Sequence, residues 1–185
     1  FEIIIQFGAI LSVVFLYWRV LKNNFALIKK VIFAFMPTAV IGLALYDLIK
    51  KYLFSELVVV WALFLGGLVL VVFELMRKEK STVEGLEDIS YKQAFVVGLF
   101  QSIAVVPGVS RAAATILGGM IIGFRRKAIV EFSFLLAVPT MAAAGGLDLI
   151  KNISQFSVNQ VHLLLIGFVV SFLTAIASIK FLLRL

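Results

Sequence analysis

The stretch QSIAVVPGVSRAAATILGG, residues 101–119, decides the fold because it places a helix breaker and a full positive charge inside an apolar run. Pro107 lacks an amide hydrogen and Gly108 permits a sharp turn, so a helix is expected to end here. An alanine-rich helix follows Ser110, and each half is too short for a hydrocarbon core of about 30 Å. We therefore predict a re-entrant hairpin of two half-length helices over residues 93–124. The alternative is one kinked span of 32 residues.

The rest of the chain is strongly apolar. Of its 185 residues, 63% are hydrophobic, and the mean hydropathy is +1.14, which excludes an ordinary water-soluble globular protein. The sequence contains no cysteine, which excludes disulfides and thiolate chemistry. The fold class is therefore all-α, a polytopic helical membrane protein forming a single membrane domain over residues 1–185. Apolar runs of roughly spanning length predict membrane spans at residues 2–18, 31–49, 56–76, 128–150 and 160–183.

The basic residues indicate how the chain crosses the bilayer. The formal net charge is +7, but the Lys and Arg residues lie between apolar runs, where they act as topology signals and not as a nucleic-acid surface. If the hairpin returns to its own side, one face carries 13 Lys and Arg, in loops 19–30, 77–92 and 125–127 and in the tail 180–184. The opposite face carries 3, in loops 50–55 and 151–159. This asymmetry predicts that the first face is cytoplasmic. A single kinked span across the membrane would remove this asymmetry of Lys and Arg.

The order of the elements predicts a pair of inverted-topology repeats, each made of a hairpin and three spans. In that scheme FEIIIQFGAILSV (1–13) corresponds to VEFSFLLAVPTMA (130–142), although PTAVIGLALYDLIKK (37–51) also matches PTMAAAGGLDLIKN (139–152). The chain starts at Phe1 and stops flush with an apolar run. We therefore expect a fragment, with a first hairpin preceding it and a last span following it.

The residues around the break predict an anion site. Ser110 stands where a helix N-cap would, and the free amides at a helix start bind anions. Arg111 adds a permanent charge and a bidentate donor suited to phosphate, and Thr115 lies one turn further on the same face. The combination fits a phosphate or pyrophosphate whose hydrocarbon portion lies in lipid. The alternative is that Arg111 only pairs with a buried acid, Glu74 or Glu131, and fixes the bundle.

At these residues the sequence resembles a known family. GLFQSIAVVPGVSRAAATILGGMIIGFRRKAIVEFSFLLAVP, residues 98–139, is similar to the second signature of the bacitracin-resistance family, the undecaprenyl-diphosphate phosphatases. That signature is a Pro-Gly-x-Ser-Arg-Ser-x-x-Thr run. Ala112 departs from it, standing where the family usually has a second Ser. The matching positions are Pro107, Gly108, Ser110, Arg111 and Thr115.

The resemblance implies an integral hydrolase of the bacterial inner membrane. It would remove the terminal phosphate from undecaprenyl diphosphate, a polyprenyl diphosphate lipid, at the outer face. This recycles the carrier for peptidoglycan synthesis and confers bacitracin resistance. The implied catalytic residues are Ser110, Arg111 and Thr115, and the implied substrate-binding residues are Gly108, Val109, Ser110, Arg111 and Gln101.

The resemblance also implies a divalent cation, Mg²⁺ or Ca²⁺. The acids and the histidine expected to bind it belong to a first signature that would precede Phe1. We therefore expect the 185-residue chain by itself to be inactive or nearly so. A polyprenyl-phosphate transporter or flippase is the alternative function, because a broken helix with an anion site suits both. Whether Ser110 attacks or only binds is left open, as is the choice between a monomer and a homodimer.

Overall fold

A computed structural model of the chain describes residues 2–76, 82–151 and 161–183. Within these ranges the extended pairing is limited to one bridge between Val83 and Phe124. The prediction of an all-α fold is therefore confirmed. The helices are α1 (Glu2–Leu16), α2 (Trp18–Asn23), α3 (Phe25–Ala44), α4 (Tyr46–Leu48), α5 (Glu56–Met76), α6 (Tyr91–Ser102), α7 (Arg111–Ile121), α8 (Arg126–Lys151) and α9 (Val161–Leu182), with a π-helical turn at Ile49–Leu53 and a 3₁₀ turn at Ile103–Val105.

Four helices in the described part of the chain are long and apolar enough to cross a membrane, which agrees with a multi-pass protein. The predicted span at residues 2–18 corresponds to α1, whose 15 residues extend only about 22 Å. This is shorter than a ~30 Å hydrocarbon core. The four long segments are Phe25–Ala44, Glu56–Met76, Arg126–Leu147 and His162–Leu182.

The second predicted span, residues 31–49, is placed too far along the chain. Helix α3 begins at Phe25, and most of the predicted loop at residues 19–30 is helical. The lysines that marked the loop do not end the helix, because a long aliphatic stem can follow an apolar surface while its ammonium reaches water. Lys30 lies within α3, and its Nζ donates to the backbone carbonyl of Glu87 at 3.1 Å, so a protein carbonyl also satisfies such an ammonium.

The chain divides into two compact units, one comprising Phe1–Phe25 and Phe134–Leu185 and the other Ala26–Ser133. The single membrane domain and the inverted repeat stay predictions. The predicted outer loop at residues 151–159 lies outside the described residues except for Lys151. The counted basic residues Arg77, Lys78, Lys80 and Arg184 also lie outside them.

In the first unit, helix α1 packs along α9. Ser171 Oγ on α9 donates to the carbonyl oxygen of Ile5 at 2.6 Å. The rings of Phe15 and Phe172 meet edge to face, with 5.8 Å between their centroids. Packing of this kind, with a small hydroxyl residue at the contact, is how helices associate where lipid supplies no hydrophobic driving force.

In the second unit, α6 and α7 form a helical hairpin. The amide nitrogens of Thr82 and Val83, before α6, donate to the carbonyl oxygen of Gly123 at 2.8 and 3.1 Å. The amide nitrogen of Arg125, after α7, donates to the carbonyl oxygen of Val83 at 2.9 Å. The chain thus enters and leaves the hairpin at one end, which is not the geometry of a single kinked span. Re-entry into a membrane stays a prediction.

The segment at residues 82–89 is folded against this hairpin base. Val83, Leu86 and Ile89 are buried, although the sequence was expected to form a solvated polar loop over residues 77–92. The apolar residues recur at every third position, so one side of the segment can be buried while its acids stay outside. The Arg125–Glu84 ion pair at this base is exposed on both partners and adds little stability.

Helix α6 begins with a reciprocal cap. The amide nitrogen of Gln93 donates to Ser90 Oγ at 3.2 Å, and the amide nitrogen of Ser90 donates to Gln93 Oε1 at 2.9 Å. Replacing Ser90 with alanine is expected to lower the free energy of unfolding by about 1 kcal/mol. The melting temperature in detergent should fall by about 2–4 °C. Ser90→Thr keeps the hydroxyl and should stay near wild type, and a fall as large as that of alanine would contradict the cap.

Candidate functional site

The break between α6 and α7 lies where the sequence predicted it. After the 3₁₀ turn the chain becomes extended at Val106, and Gly108 takes a φ of +93°, in the region that favours glycine. The amide nitrogen of Val109 donates to the carbonyl oxygen of Val106 at 3.1 Å and closes the turn. A Cβ at Gly108 would lie 2.6 Å from the carbonyl oxygen of Val59, so the turn packs directly on the backbone of α5.

Ser110 caps α7, as predicted. Its backbone is extended, and its Oγ accepts a hydrogen bond from the amide nitrogen of Ala113 at 3.3 Å. Its carbonyl oxygen accepts from the amide nitrogen of Ala114 at 2.9 Å. The amides of Arg111 and Ala112 precede these bonds and make none to the described part of the chain. The start of α7 therefore presents two N–H donors and the positive end of the helix dipole.

Arg111 places a guanidinium at this helix start. Its Nη1 is buried and has no hydrogen-bond partner among the described residues. A buried donor left without an acceptor costs about 1–3 kcal/mol, so the site favours a ligand with acceptor oxygens. Among the described residues, no acid forms an ion pair with Arg111. Arg126 donates to both carboxylate oxygens of Glu74, and Glu131 forms no ion pair with a described residue.

Thr115 is completely buried one turn into α7. Its Oγ1 lies 3.0 Å from the carbonyl oxygen of Arg111 and 2.9 Å from that of Ala112. It also lies 2.7 Å from Ser133 Oγ on α8. The hydroxyl of Thr115 is therefore surrounded by protein oxygens, and its predicted catalytic role stays a prediction.

Gln101 is also completely buried, near the end of α6. Its Nε2 donates to Thr38 Oγ1 at 3.0 Å, and Thr38 Oγ1 donates to the carbonyl oxygen of Gly98 at 3.3 Å. These bonds join α6 to α3 across a close helix contact. The substrate-binding role of Gln101 likewise stays a prediction.

The structure thus brings four of the sequence-predicted site residues to one short segment, the turn and the first residue of α7. They are Gly108, Val109, Ser110 and Arg111. Sequence reasoning missed Thr38 and Ser133, which contact Gln101 and Thr115. A hydroxyl group within an apolar helix could have indicated these two residues, because such a group needs a hydrogen-bond partner where there is no water.

Comparison with known proteins agrees with the resemblance read from residues 98–139. The family model described as "Bacitracin resistance protein BacA" matches residues 1–185. The undecaprenyl-diphosphatase of Sulfurihydrogenibium sp. (strain YO3AOP1) is 47% identical over 186 residues, covering 100% of this chain and 73% of the relative. That of Aquifex aeolicus (strain VF5) is 46% identical, covering 100% of this chain and 72% of the relative.

A third relative shows a similar identity and coverage. The undecaprenyl-diphosphatase of Campylobacter hominis is 47% identical over 189 residues, covering 100% of this chain and 73% of the relative. The matches thus run along the whole chain and are not confined to the segment around the helix break. The chain belongs to the bacitracin resistance protein BacA family.

Proposed function

We propose that this protein hydrolyses undecaprenyl diphosphate to undecaprenyl phosphate and inorganic phosphate. Relatives that the chain matches from end to end carry the name undecaprenyl-diphosphatase. The observation in the structure that supports this function is Arg111, whose buried Nη1 has no hydrogen-bond partner among the described residues. In the reaction, a water oxygen bonds to the terminal phosphorus and the bridging P–O bond breaks. The bridging oxygen stays with the lipid phosphate.

The residues at the start of α7 suit the charge of a diphosphate. The guanidinium of Arg111 can donate two parallel hydrogen bonds to phosphate oxygens, and a charge-assisted bond of this kind is strong. The amides of Arg111 and Ala112 add donors at the positive end of the helix. Because these groups are already fixed by the cap and the turn, they need little rearrangement as negative charge develops on the leaving phosphate.

Ser110 fits a binding role at this site. Its side chain is exposed, and its Oγ already accepts a bond from the amide nitrogen of Ala113. An attacking serine would need a neighbouring base to take its proton. In the part of the chain that the structure describes, no such base is hydrogen-bonded to Ser110. We therefore propose Ser110 as a phosphate ligand and helix cap.

The divalent cation implied by the family stays a proposal. No group of three or more His, Asp or Glu side chains among residues 2–76, 82–151 and 161–183 is arranged to hold a metal ion. The described residues do not fit such a centre.

The location of the site is also part of the proposal. We place the protein in the bacterial inner membrane, with the break of the hairpin open to the outer face. The asymmetry of Lys and Arg supports this orientation, because positively charged loops remain in the cytoplasm. The lipid substrate would keep its polyprenyl chain in the bilayer. A homodimer is not required by any of these arguments.

Phosphate release from a polyprenyl diphosphate in detergent tests the function. The 185-residue chain and the complete open reading frame that encodes it are purified and compared, with and without EDTA. Release by the complete protein is the expected result, and its loss with EDTA would support the cation. If the protein released no phosphate but moved labelled polyprenyl phosphate across liposomes, the site would be a transport site and the proposal would be wrong.

A further inference from the structure

Two buried hydroxyl groups join the hairpin to the next helix. Thr115 on α7 and Ser133 on α8 are 0% and 6% exposed, and their oxygen atoms lie 2.7 Å apart. Neither residue belongs to the turn that precedes Arg111. Both nevertheless lie in the same compact unit as that turn, Ala26–Ser133.

The directions of these hydrogen bonds follow from counting protons. Each hydroxyl has one proton to donate. Thr115 Oγ1 lies within hydrogen-bond distance of two carbonyl oxygens, those of Arg111 and Ala112, and a carbonyl can only accept. If Thr115 donates to these carbonyls, then Ser133 donates to Thr115, and the hydroxyl hydrogens of both residues have acceptors. The opposite direction would leave the proton of Ser133 without an acceptor in the described structure.

The resulting chain of hydrogen bonds ends on the backbone of the anion site. Ser133 donates to Thr115, and Thr115 donates to the carbonyl groups of Arg111 and Ala112. These are the same two residues whose amides make no hydrogen bond to the described part of the chain. Consecutive hydrogen bonds strengthen one another in a low-dielectric interior. Helix α8, with 26 residues, is thereby fixed to the first turn of the 11-residue helix α7.

We propose that Ser133 is a positioning residue for phosphate hydrolysis and that it acts through Thr115. The pair holds the first turn of α7 so that the guanidinium and amides of Arg111 meet the terminal phosphate in the reactive geometry. This inference rests on the proposed function. It also gives Thr115 a role that matches its burial, because a hydroxyl enclosed by protein oxygens supports the site without touching the substrate.

The kinetic test removes each hydroxyl with little change of shape. Ser133→Ala and Thr115→Val should each lower kcat about 10- to 100-fold, since a small displacement of a positioned group is costly, with KM changing much less. Thr115→Ser keeps the hydroxyl and should retain kcat within about threefold. The double variant Ser133→Ala/Thr115→Val should be no slower than Thr115→Val alone, because both changes break one chain of bonds.

A matched control separates positioning from general stability. Ser12 on α1 is also completely buried, and its Oγ donates to the carbonyl oxygen of Ala9 within its own helix. Ser12→Ala removes a buried serine hydroxyl in the same way and should leave kcat unchanged. If Ser133→Ala matched this control, or if the two single effects multiplied in the double variant, the positioning role would be refuted.

Hydrogen–deuterium exchange distinguishes a failure of this inference from a failure of the proposed function. The hydrogen-bonded amides near the start of α7, residues 113–116, should exchange about tenfold faster or more in Ser133→Ala than in wild type, whether or not the protein is active. If wild type releases no phosphate, the proposed function is wrong. Faster exchange in Ser133→Ala would still support the hydrogen-bonded link from Ser133 through Thr115 to the start of α7. Unchanged exchange at residues 113–116 would overturn the inference by itself.

Discussion

Replacing Arg111 with alanine is expected to lower kcat/KM for phosphate release by about 10³-fold or more. The reason is the loss of the guanidinium, which lies at the start of α7 with its Nη1 buried and without a partner in the described structure. The fold should persist, because no ion pair to a described residue is broken. Steady-state kinetics on a polyprenyl diphosphate, with the melting temperature measured on the same preparation, provide the check.

Two further substitutions make this result specific. Arg111→Lys keeps the charge but loses the planar fork, so we expect a fall of about 10²-fold. Arg125→Ala is the matched control, since the Arg125 side chain is 60% exposed and, among the described residues, forms its ion pair with Glu84. It should change kcat/KM less than about twofold. Normal turnover by Arg111→Ala would contradict the anion site.

Replacing Gly98 with alanine is expected to destabilise the protein by about 1–3 kcal/mol. A Cβ at this position would overlap the carbonyl oxygen of Ala34 and lie 2.8 Å from its carbonyl carbon. Because these are backbone atoms, no side chain can move aside, and α6 and α3 must separate. The separation also stretches the bonds that join Gln101, Thr38 and the carbonyl of Gly98. Thermal unfolding in detergent, with phosphate release measured alongside, gives the result.

The control for this change is another glycine in an apolar helix. Apart from its own helix, Gly67 on α5 has no atom of a described residue within 4 Å of the position that a Cβ would take. Gly67→Ala should leave the melting temperature unchanged or raise it slightly, because alanine favours a helix by up to about 1 kcal/mol over glycine. If Gly98→Ala were equally well tolerated, α6 and α3 would not be packed as closely as the structure places them.

Local chemistry explains what could be predicted from the sequence. The break at Pro107 and Gly108 and the cap at Ser110 depend on the backbone preferences of these residues, which act within a few positions of the chain. Runs of apolar residues likewise indicated where long helices lie. The anion site could be proposed from the sequence because the cap and Arg111 are adjacent, so no knowledge of packing was needed.

The parts that were missed depend on how helices pack. The contact between Thr115 and Ser133 joins residues 18 positions apart, and that between Gln101 and Thr38 joins residues 63 apart. A hydroxyl in an apolar helix indicates that a partner is needed but not which helix supplies it. The early start of α3 at Phe25 was missed for a different reason, because the edge of a membrane and the end of a helix need not coincide.

The closed base of the hairpin has a consequence for biosynthesis. Helices α6 and α7 have 12 and 11 residues, so neither is long enough for the insertion machinery to treat it as a spanning segment. The bonds that close the base use Gly123 and Arg125, which are synthesised after both helices. During translation the hairpin therefore remains open until the beginning of α8 has left the ribosome. Arg111 is therefore synthesised before the hairpin that carries it can close.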